Sequence, residues 1–429
     1  MTSALRLTPP AEPVGFVPDP GAELPRSADA VIVGAGLVGA WTAYHLTRRG
    51  VRPLLIEANS PASGASGRNA GMLLQGLGGH FTRVTRLAQS AGARSILDYT
   101  CRSRELVIAA HDEIRGGVEL DQAGSLDLFL TDDQAADADA TIDAKRREGL
   151  DVRRIGPSDL ADMEPALDTS RVVGASWTPS DLLVNPFRLN LGLLHAAVRA
   201  GATVATGVRV ERLLEAGDGV AGVRTTHGDV SAPRVVVAAN AWTPALVPTL
   251  TAGLTPIREH VCVTEPLART LGAGFETNRC NEYWRQMASG QIVIGGFAVA
   301  DEGMGIGTYS METRPPVPPL LAVLLAELYP SLANVRIVRC WAGLLDFATL
   351  EIPMVGPLPT VDGGRIDGAF VACGLTGHGM PYAPIIGLLL SELIADGGAA
   401  TLPLAPFDPA RYAGAAYAPT WLEPFGVSS

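Results

Sequence analysis

The segment Val31-Ile-Val-Gly-Ala-Gly-Leu-Val-Gly39 sets Gly34, Gly36 and Gly39 in GxGxxG register. Gly34 permits a tight turn out of a strand, Gly36 lets backbone approach a pyrophosphate, and Gly39 allows a helix to pack closely on that strand. Leu37 and Val38 open the helix, whose unpaired N–H groups suit phosphate oxygens. Glu57 stands 18 residues past Gly39, with Ala58 beside it, at the spacing that suits a ribose hydroxyl. A bare GxGxxG also occurs in glycine-rich turns with no ligand. Here the strand before it, the helix after it and Glu57 decide for a dinucleotide.

Two further glycine-rich patches bear on which dinucleotide. Ser63-Gly-Ala-Ser-Gly-Arg-Asn-Ala-Gly71 is a loop of small residues around Arg68 and Asn69. In it Ser63, Ser66, Gly67, Ala70 and Gly71 can wrap a second phosphate face and reach an isoalloxazine ring through backbone contacts, or the loop is merely a flexible surface segment. Cys373-Gly-Leu-Thr-Gly-His-Gly-Met380 follows a strand and opens a helix. Gly374, Gly377, His378, Gly379 and Met380 then present a second helix N-terminus, which stabilises negative charge on a reduced flavin. A nicotinamide enzyme needs neither patch, so the expected cofactor is FAD.

The elements that must position these residues can be read from the pattern. Ala30 to Val33 and Pro53 to Glu57 read as buried parallel strands, with Leu37 to Arg49 a helix between them, a βαβ unit. Phe81 to Arg115 reads as mostly helical, Gly124 to Leu130 as a strand, Pro186 to Ala200 as a helix and Thr203 to Val210 as a strand. Arg234 to Ala239 reads as another buried strand. Val261 to Glu265, Tyr283 to Met287 and Gln291 to Gly295 read as antiparallel strands, and Gly368 to Cys373 as a late strand. The expected fold is α/β: a Rossmann-type FAD-binding domain of discontinuous segments (27–117, 185–245 and 336–403) and a substrate domain (118–184 and 246–335) with a mixed, largely antiparallel sheet. Residues 1–26 are expected to form a flexible leader, with order beginning at Ala28, and 404–429 a C-terminal tail.

Composition narrows the function classes. With 429 residues, 47% hydrophobic and 18% charged, the chain can bury large cores. A net charge of −11 argues against a nucleic-acid groove, which needs a surplus of Lys and Arg. The five cysteines are widely spaced, with no CxxC pair or Cys/His cluster, so no metal site or disulfide framework is expected. No secretory signal is apparent, and the apolar stretch Ala383 to Ile394 is too short to span a bilayer, so the cytoplasm is the expected location.

Taken together, the glycine patches resemble the D-amino-acid oxidase superfamily, which includes glycine oxidase, sarcosine oxidase and dimethylglycine dehydrogenase. Further matching motifs are Asp181 with Val184-Asn-Pro186, Ala238-Ala-Asn-Ala-Trp242, Tyr283-Trp-Arg285 and Arg339-Cys-Trp-Ala-Gly343, and the likeness runs from Ala28 to about Gly397. The resemblance implies hydride transfer from the carbon of an amine or amino acid to flavin N5, giving an imine, with oxygen or another electron acceptor. It places Val210 on the adenine side, Ala239, Asn240 and Trp242 beside the cofactor, and Gly343 and Gly377 to Met380 near the ring. Arg68-Asn69 and Gly343 stand where related proteins carry a flavin-linking histidine or cysteine, so attachment is expected to be non-covalent. Cys340 is the nearest alternative for a thioether, or a small buried hydrophobe.

The chain also departs from that pattern. Val293 occupies the place of an oxygen-activating lysine, Met380 to Tyr382 that of a carboxylate-binding lysine, and Leu345 that of an arginine. A simple α-amino acid is therefore disfavoured against a secondary or N-alkyl amine, and an oxidase is weakened against a dehydrogenase. Candidate pocket residues are Arg285 as a carboxylate clamp or a solvated arginine, and His260 as a proton acceptor or a structural histidine. Asp346 is a candidate partner for a cationic amine or a structural acid. Tyr283, Tyr382 and Trp341 are candidates for an aromatic wall, and Gln75 and His80 for pocket entrants. A flavin monooxygenase and a non-catalytic FAD-binding subunit are the readings from other classes.

Overall fold

The structure, a computed structural model, describes residues 24–88, 92–114, 117–277 and 280–412. Its centre is the four-residue apolar strand Ala30–Val33, buried throughout. Such a strand must be covered on both faces, and it is flanked in parallel by Pro53–Glu57 and Val235–Val237. Thr203–Thr206 extends this nine-stranded sheet on one side, and Arg365–Cys373, Gly219–Thr225 and Gly228–Ser231 extend it on the other. Met354–Pro359 adds antiparallel to Arg365–Cys373, and Val210–Ala216 adds antiparallel to Gly219–Thr225. The stretch expected as one strand over 203–210 is thus two strands, broken by a turn at Gly207, whose φ is +70°.

The second sheet has eight strands, in the order Ile337–Ala348, Leu254–Thr264, Ile292–Gly296, Glu282–Gln286, Gly274–Thr277, Ser125–Phe129, Gly174–Thr178 and Arg153–Ile155. Every neighbouring pair is antiparallel except Gly274–Thr277 with Ser125–Phe129. The mixed α/β fold with a largely antiparallel second sheet is as the sequence implies. Ile337–Ala348 had been expected with the nucleotide-binding segments. It instead pairs with Leu254–Thr264 along nearly its whole length, so the chain re-enters the first sheet only at Met354. One face of the second sheet packs Phe275, Trp284 and Ile294 against the helix Val317–Leu328, and the Trp284 indole N–H donates to the Tyr329 hydroxyl at 3.0 Å.

Four helices, Leu37–Arg48, Gly92–His111, Pro186–Arg199 and Gly379–Asp396, pack together against the first sheet. Two of them begin at glycine-rich turns. They approach closely because Gly387 has no side chain: a Cβ there would lie 2.4 Å from Trp41 Cβ and 2.7 Å from the Thr42 nitrogen. This contact fixes the two helix starts relative to each other.

The chain ends also differ from expectation. Order begins before Ala28, because the Arg26 carbonyl accepts from the Ser231 N–H at 2.9 Å. The first part of the expected tail is packed, with Phe407 against Tyr99 and Tyr382 and the Tyr412 hydroxyl donating to the Ile352 carbonyl at 2.7 Å. The rest of the expected leader and tail, residues 1–23 and 413–429, lies outside the described residues.

Overpacking a tight helix crossing costs about 1–3 kcal/mol. Gly387→Ala should therefore lower the thermal midpoint clearly. Gly398→Ala, where an added methyl meets nothing within 4 Å, should leave it nearly unchanged.

Candidate active site

The first glycine turn behaves as its residue types demand. Gly34 has φ +106°, and a Cβ there would sit 2.4 Å from the Ala238 carbonyl oxygen. A Cβ on Gly39 would sit 2.1 Å from the Gly34 carbonyl oxygen, so the helix lies directly on the turn. The Glu57 carboxylate accepts from the Ala35 N–H at 3.0 Å and from the Asn59 N–H at 2.9 Å, which holds it at the mouth of the turn. The Leu37 N–H donates to the Ser66 hydroxyl at 2.8 Å, tying the second glycine loop to the first helix start.

A cavity of about 720 Å³ opens beside this turn. Gly34, Gly36, Leu37, Val38, Glu57, Ala58, Ser63, Ser66, Asn69, Ala70 and Gly71 line it, and so do Val210, Ala239, Asn240 and Trp242. Gly377, His378, Gly379 and Met380 complete that side. Three glycine-rich segments far apart in the sequence thus converge on one space. The backbone cradle, the acid at the end of the second strand and two helix starts fit an adenine dinucleotide carrying a flavin.

Five of the expected contact residues act from behind the lining. Gly39 serves helix packing. A Cβ on Gly67 would sit 2.3 Å from the Ala62 carbonyl oxygen, so its role is a tight turn. Arg68 donates to the carbonyls of Ser63 and Ala342, both at 2.7 Å, and the Trp341 indole donates to the Arg68 carbonyl at 2.9 Å. Gly343 makes room for the Arg68 stem, and Gly374, with φ +73°, turns the late strand toward the cavity. Among the described residues no cysteine lines the cavity; Cys340 faces Cys262 across paired strands, their sulfurs 2.9 Å apart, among core residues of the second sheet.

Three of the four expected catalytic side chains are placed otherwise than expected. His260 is buried, and its Nε2 accepts from the Arg314 N–H at 3.0 Å. Strand alternation turns its neighbour Glu259 toward the cavity and His260 away from it, and burial holds the imidazole below its ordinary range. Arg285, the expected carboxylate clamp, is turned toward backbone carbonyls. It donates to the Ala70 carbonyl and, at 2.6 Å, to the Val184 carbonyl, bracing the end of the second glycine loop. Tyr382 lies in the helix core against Phe407, with burial pushing its hydroxyl upward. Asp346 does line the cavity. Its carboxylate accepts from the N–H groups of Gly374, at 2.6 Å, and Leu375, at 3.2 Å, and burial pushes it up to about 7.

Of the aromatic candidates, Tyr283 lines the cavity and lies over Gly295, where a Cβ would meet its hydroxyl at 2.4 Å. His80 lines the cavity and meets the His378 ring edge-on, with centroids 5.3 Å apart. Gln75 is held outside by Asp181, Ser180 and Cys101. Sequence reasoning missed Glu259, Glu276 and Glu282, all lining residues on strands of the second sheet. The available signal was an acid inside a strand-forming stretch, a costly placement when buried.

Two substitutions test this assignment. Gly36→Val places carbon where a Cβ already meets the Ser66 hydroxyl at 2.8 Å, and should weaken FAD binding by at least ~10-fold in a cofactor titration. Arg285→Met leaves buried carbonyls unpaired, at a cost of about 1–3 kcal/mol each. It should lower thermal stability and FAD retention together, whereas a substrate clamp would show its loss in KM alone.

The geometry agrees with what sequence and structure comparisons find. The chain is 29% identical over 417 residues to hydrogen cyanide synthase subunit HcnC of Pseudomonas protegens, covering 90% of this chain and 96% of that one. It is 28% identical over 393 residues to the glycine oxidase of Geobacillus kaustophilus, covering 90% and 97%. That oxidase's crystal structure superposes with a TM-score of 0.77 at 25% identity, covering 89% of this chain and 98% of that one. L-Proline dehydrogenase from P. horikoshii shares the fold, with a TM-score of 0.77 at 24% identity and coverage of 91% and 98%. The family model described as FAD dependent oxidoreductase matches residues 29–393, and the chain belongs to that family.

Proposed function

We propose that the protein oxidises the C–N bond of an amine or amino acid, with secondary or N-alkyl amines favoured, releasing an imine. The observation that carries this reading is a single cavity with two chemically different walls. One wall is the glycine-rich backbone described above, and the other is a sheet face bearing Glu259, Glu276 and Tyr283. FAD, when bound, supplies the chemistry by accepting a hydride from the substrate carbon. The chain's own residues position and exclude. The apolar Ile257, Leu345 and Met304 keep water from the reacting bond, and Tyr283 offers a ring face to an ammonium or its neutral amine. Glycine oxidase and L-proline dehydrogenase, by their names, act on amino acids, which supports the same substrate class.

The electron acceptor is inferred from one position. Val293 is buried among Ala70, Met72 and Val261, where the resemblance would place an oxygen-activating lysine. This favours a dehydrogenase that passes electrons to an acceptor other than oxygen. Among the described residues no helix is long and apolar enough to cross a membrane, and no acid, histidine or cysteine cluster suits a metal.

The test is an anaerobic panel of N-methyl amines, cyclic imino acids, primary amines and α-amino acids, read as bleaching of the yellow flavin. Bleaching by amines, fastest with N-alkyl members, is the expected result; a colourless protein, or a yellow one that no member bleaches, removes the proposal. In air, peroxide should form more slowly than a dye acceptor is reduced.

A further inference from the structure

The second sheet presents acids from separate strands to one end of the cavity. Glu259 lies on Leu254–Thr264 and Glu276 on Gly274–Thr277, and both line the space with Tyr283 between them. The register explains the arrangement. Tyr283 pairs with Glu276 on one side and Gly295 on the other, and Gly295 gives up its side chain to the Tyr283 ring. Glu259 accepts from the His260 N–H at 3.2 Å, and Glu276 from the Gly79 N–H at 3.0 Å. The Gly296 N–H is a second backbone donor to Glu259, so backbone bonds hold each carboxylate in place while it faces the cavity.

What surrounds these acids matters as much. The nearby arginines are engaged elsewhere: Arg68 with the Ser63 and Ala342 carbonyls, Arg285 with those of Ala70 and Val184, and Arg258 with Asp301 in a two-pronged pair at 2.7 and 2.9 Å. Lys145 is buried behind Glu276 and donates to the Gly78 carbonyl at 2.6 Å, and the field of its ammonium is shared by Asp127, Asp181 and Glu276. Among the described residues the one arginine that lines the cavity, Arg209, adjoins Val210 beside the nucleotide-side residues. Acids in a closed, low-dielectric space strongly favour a positive partner and repel a carboxylate. Burial pushes the carboxyls of Glu259 and Glu276 up to about 8; beside Glu276, Asp127 adds to the push and the Lys145 ammonium opposes it.

We propose that Glu259 and Glu276 are specificity-determining residues that select a substrate carrying a second cationic group beyond the amine being oxidised, a diamine rather than an amino acid. The inference rests on the amine-oxidising reading above and names its substrate class. The cavity supplies the site, and the acids with the Tyr283 ring supply its preference. A terminal ammonium would lie against the carboxylates and the ring face, leaving the other nitrogen and its carbon toward the glycine-lined wall.

The test uses the FAD-loaded protein and three matched amines that differ only at the far end. N-methylbutane-1,4-diamine ends in an ammonium, N-methylbutylamine in a methyl and 4-(methylamino)butanoate in a carboxylate. The same set with three and with five methylenes covers chain length. Affinity is read anaerobically from the perturbed flavin spectrum and from thermal shift, so the result does not depend on turnover, and bleaching is read in parallel. The diamine is expected to bind at least ~10-fold more tightly than the monoamine at some chain length, and the carboxylate compound most weakly. Glu276→Gln and Glu259→Gln keep an acceptor for the Gly79 and His260 N–H groups. Each should cut the diamine-to-monoamine affinity ratio several-fold, in protein that still carries FAD. Equal binding of diamine and monoamine at every length, a preference for the carboxylate compound, or ratios unmoved by both variants would overturn the proposal. If diamines bind preferentially but nothing bleaches the flavin, the redox reading fails and the specificity assignment stands; if diamine and monoamine bind equally and both bleach it, the redox reading stands and the specificity assignment fails.

Discussion

One strand of the second sheet makes polar contacts to the second glycine loop, the turn at Asn240 and the late glycine turn. Backbone N–H and C=O groups in a buried turn must find partners. Ile337–Ala348 supplies them in sequence: the Ala342 carbonyl to Arg68, the Leu344 carbonyl to Asn240 at 2.8 Å, and the Asp346 carboxylate to Gly374 and Leu375. The Trp341 indole adds a bond to the Arg68 carbonyl. Strand pairing with Leu254–Thr264 over 11 register positions gives this scaffold its rigidity. The second glycine loop, the turn at Asn240 and the late turn are all referenced to a single line of backbone.

The division of labour in the cavity follows from that frame. The turn side has little side-chain chemistry of its own, because glycine is used wherever backbone must come close. The sheet side carries the charged and aromatic groups, and each is set by strand register. Arg285 shares the face of Tyr283, yet its guanidinium is drawn to two carbonyls, because an unpaired buried carbonyl costs more than a solvated arginine gains. The same accounting makes Asp346 an organiser of backbone as well as a cavity residue.

Much of the cofactor side was legible in the sequence, because glycine leaves a mark wherever a Cβ is forbidden. Gly34, Gly39 and Gly71 all stand where a methyl would meet an atom within 2.4 Å. The sheet side was not legible to the same degree. Alternation says that Glu259 and His260 point opposite ways, but only the pairing with Gly343 and Ala342 says which of them sees the cavity. Residues 337–348 fall within the segment 336–403 expected in the nucleotide-binding domain, but their partner strand, Leu254–Thr264, is set by a pairing between distant stretches that composition does not specify. The helix Asp132–Arg147 was not read at all, despite acids in its first turn, bases in its last and a Thr131 side chain accepting from the Gln134 N–H. Its scarcity of large apolar residues hid it.

The scatter of the cavity walls along the chain has a thermodynamic side. Lining residues come from before Met72, from the stretch around Val210, from 238–246 and from 372–383, as well as from the second sheet. Unfolding any one of these stretches removes part of the binding surface. A dinucleotide held there acts as a reversible cross-link among them, and its binding free energy adds to the cooperativity of the whole molecule instead of steadying one lobe. Losing the cofactor therefore loosens both sheets at once.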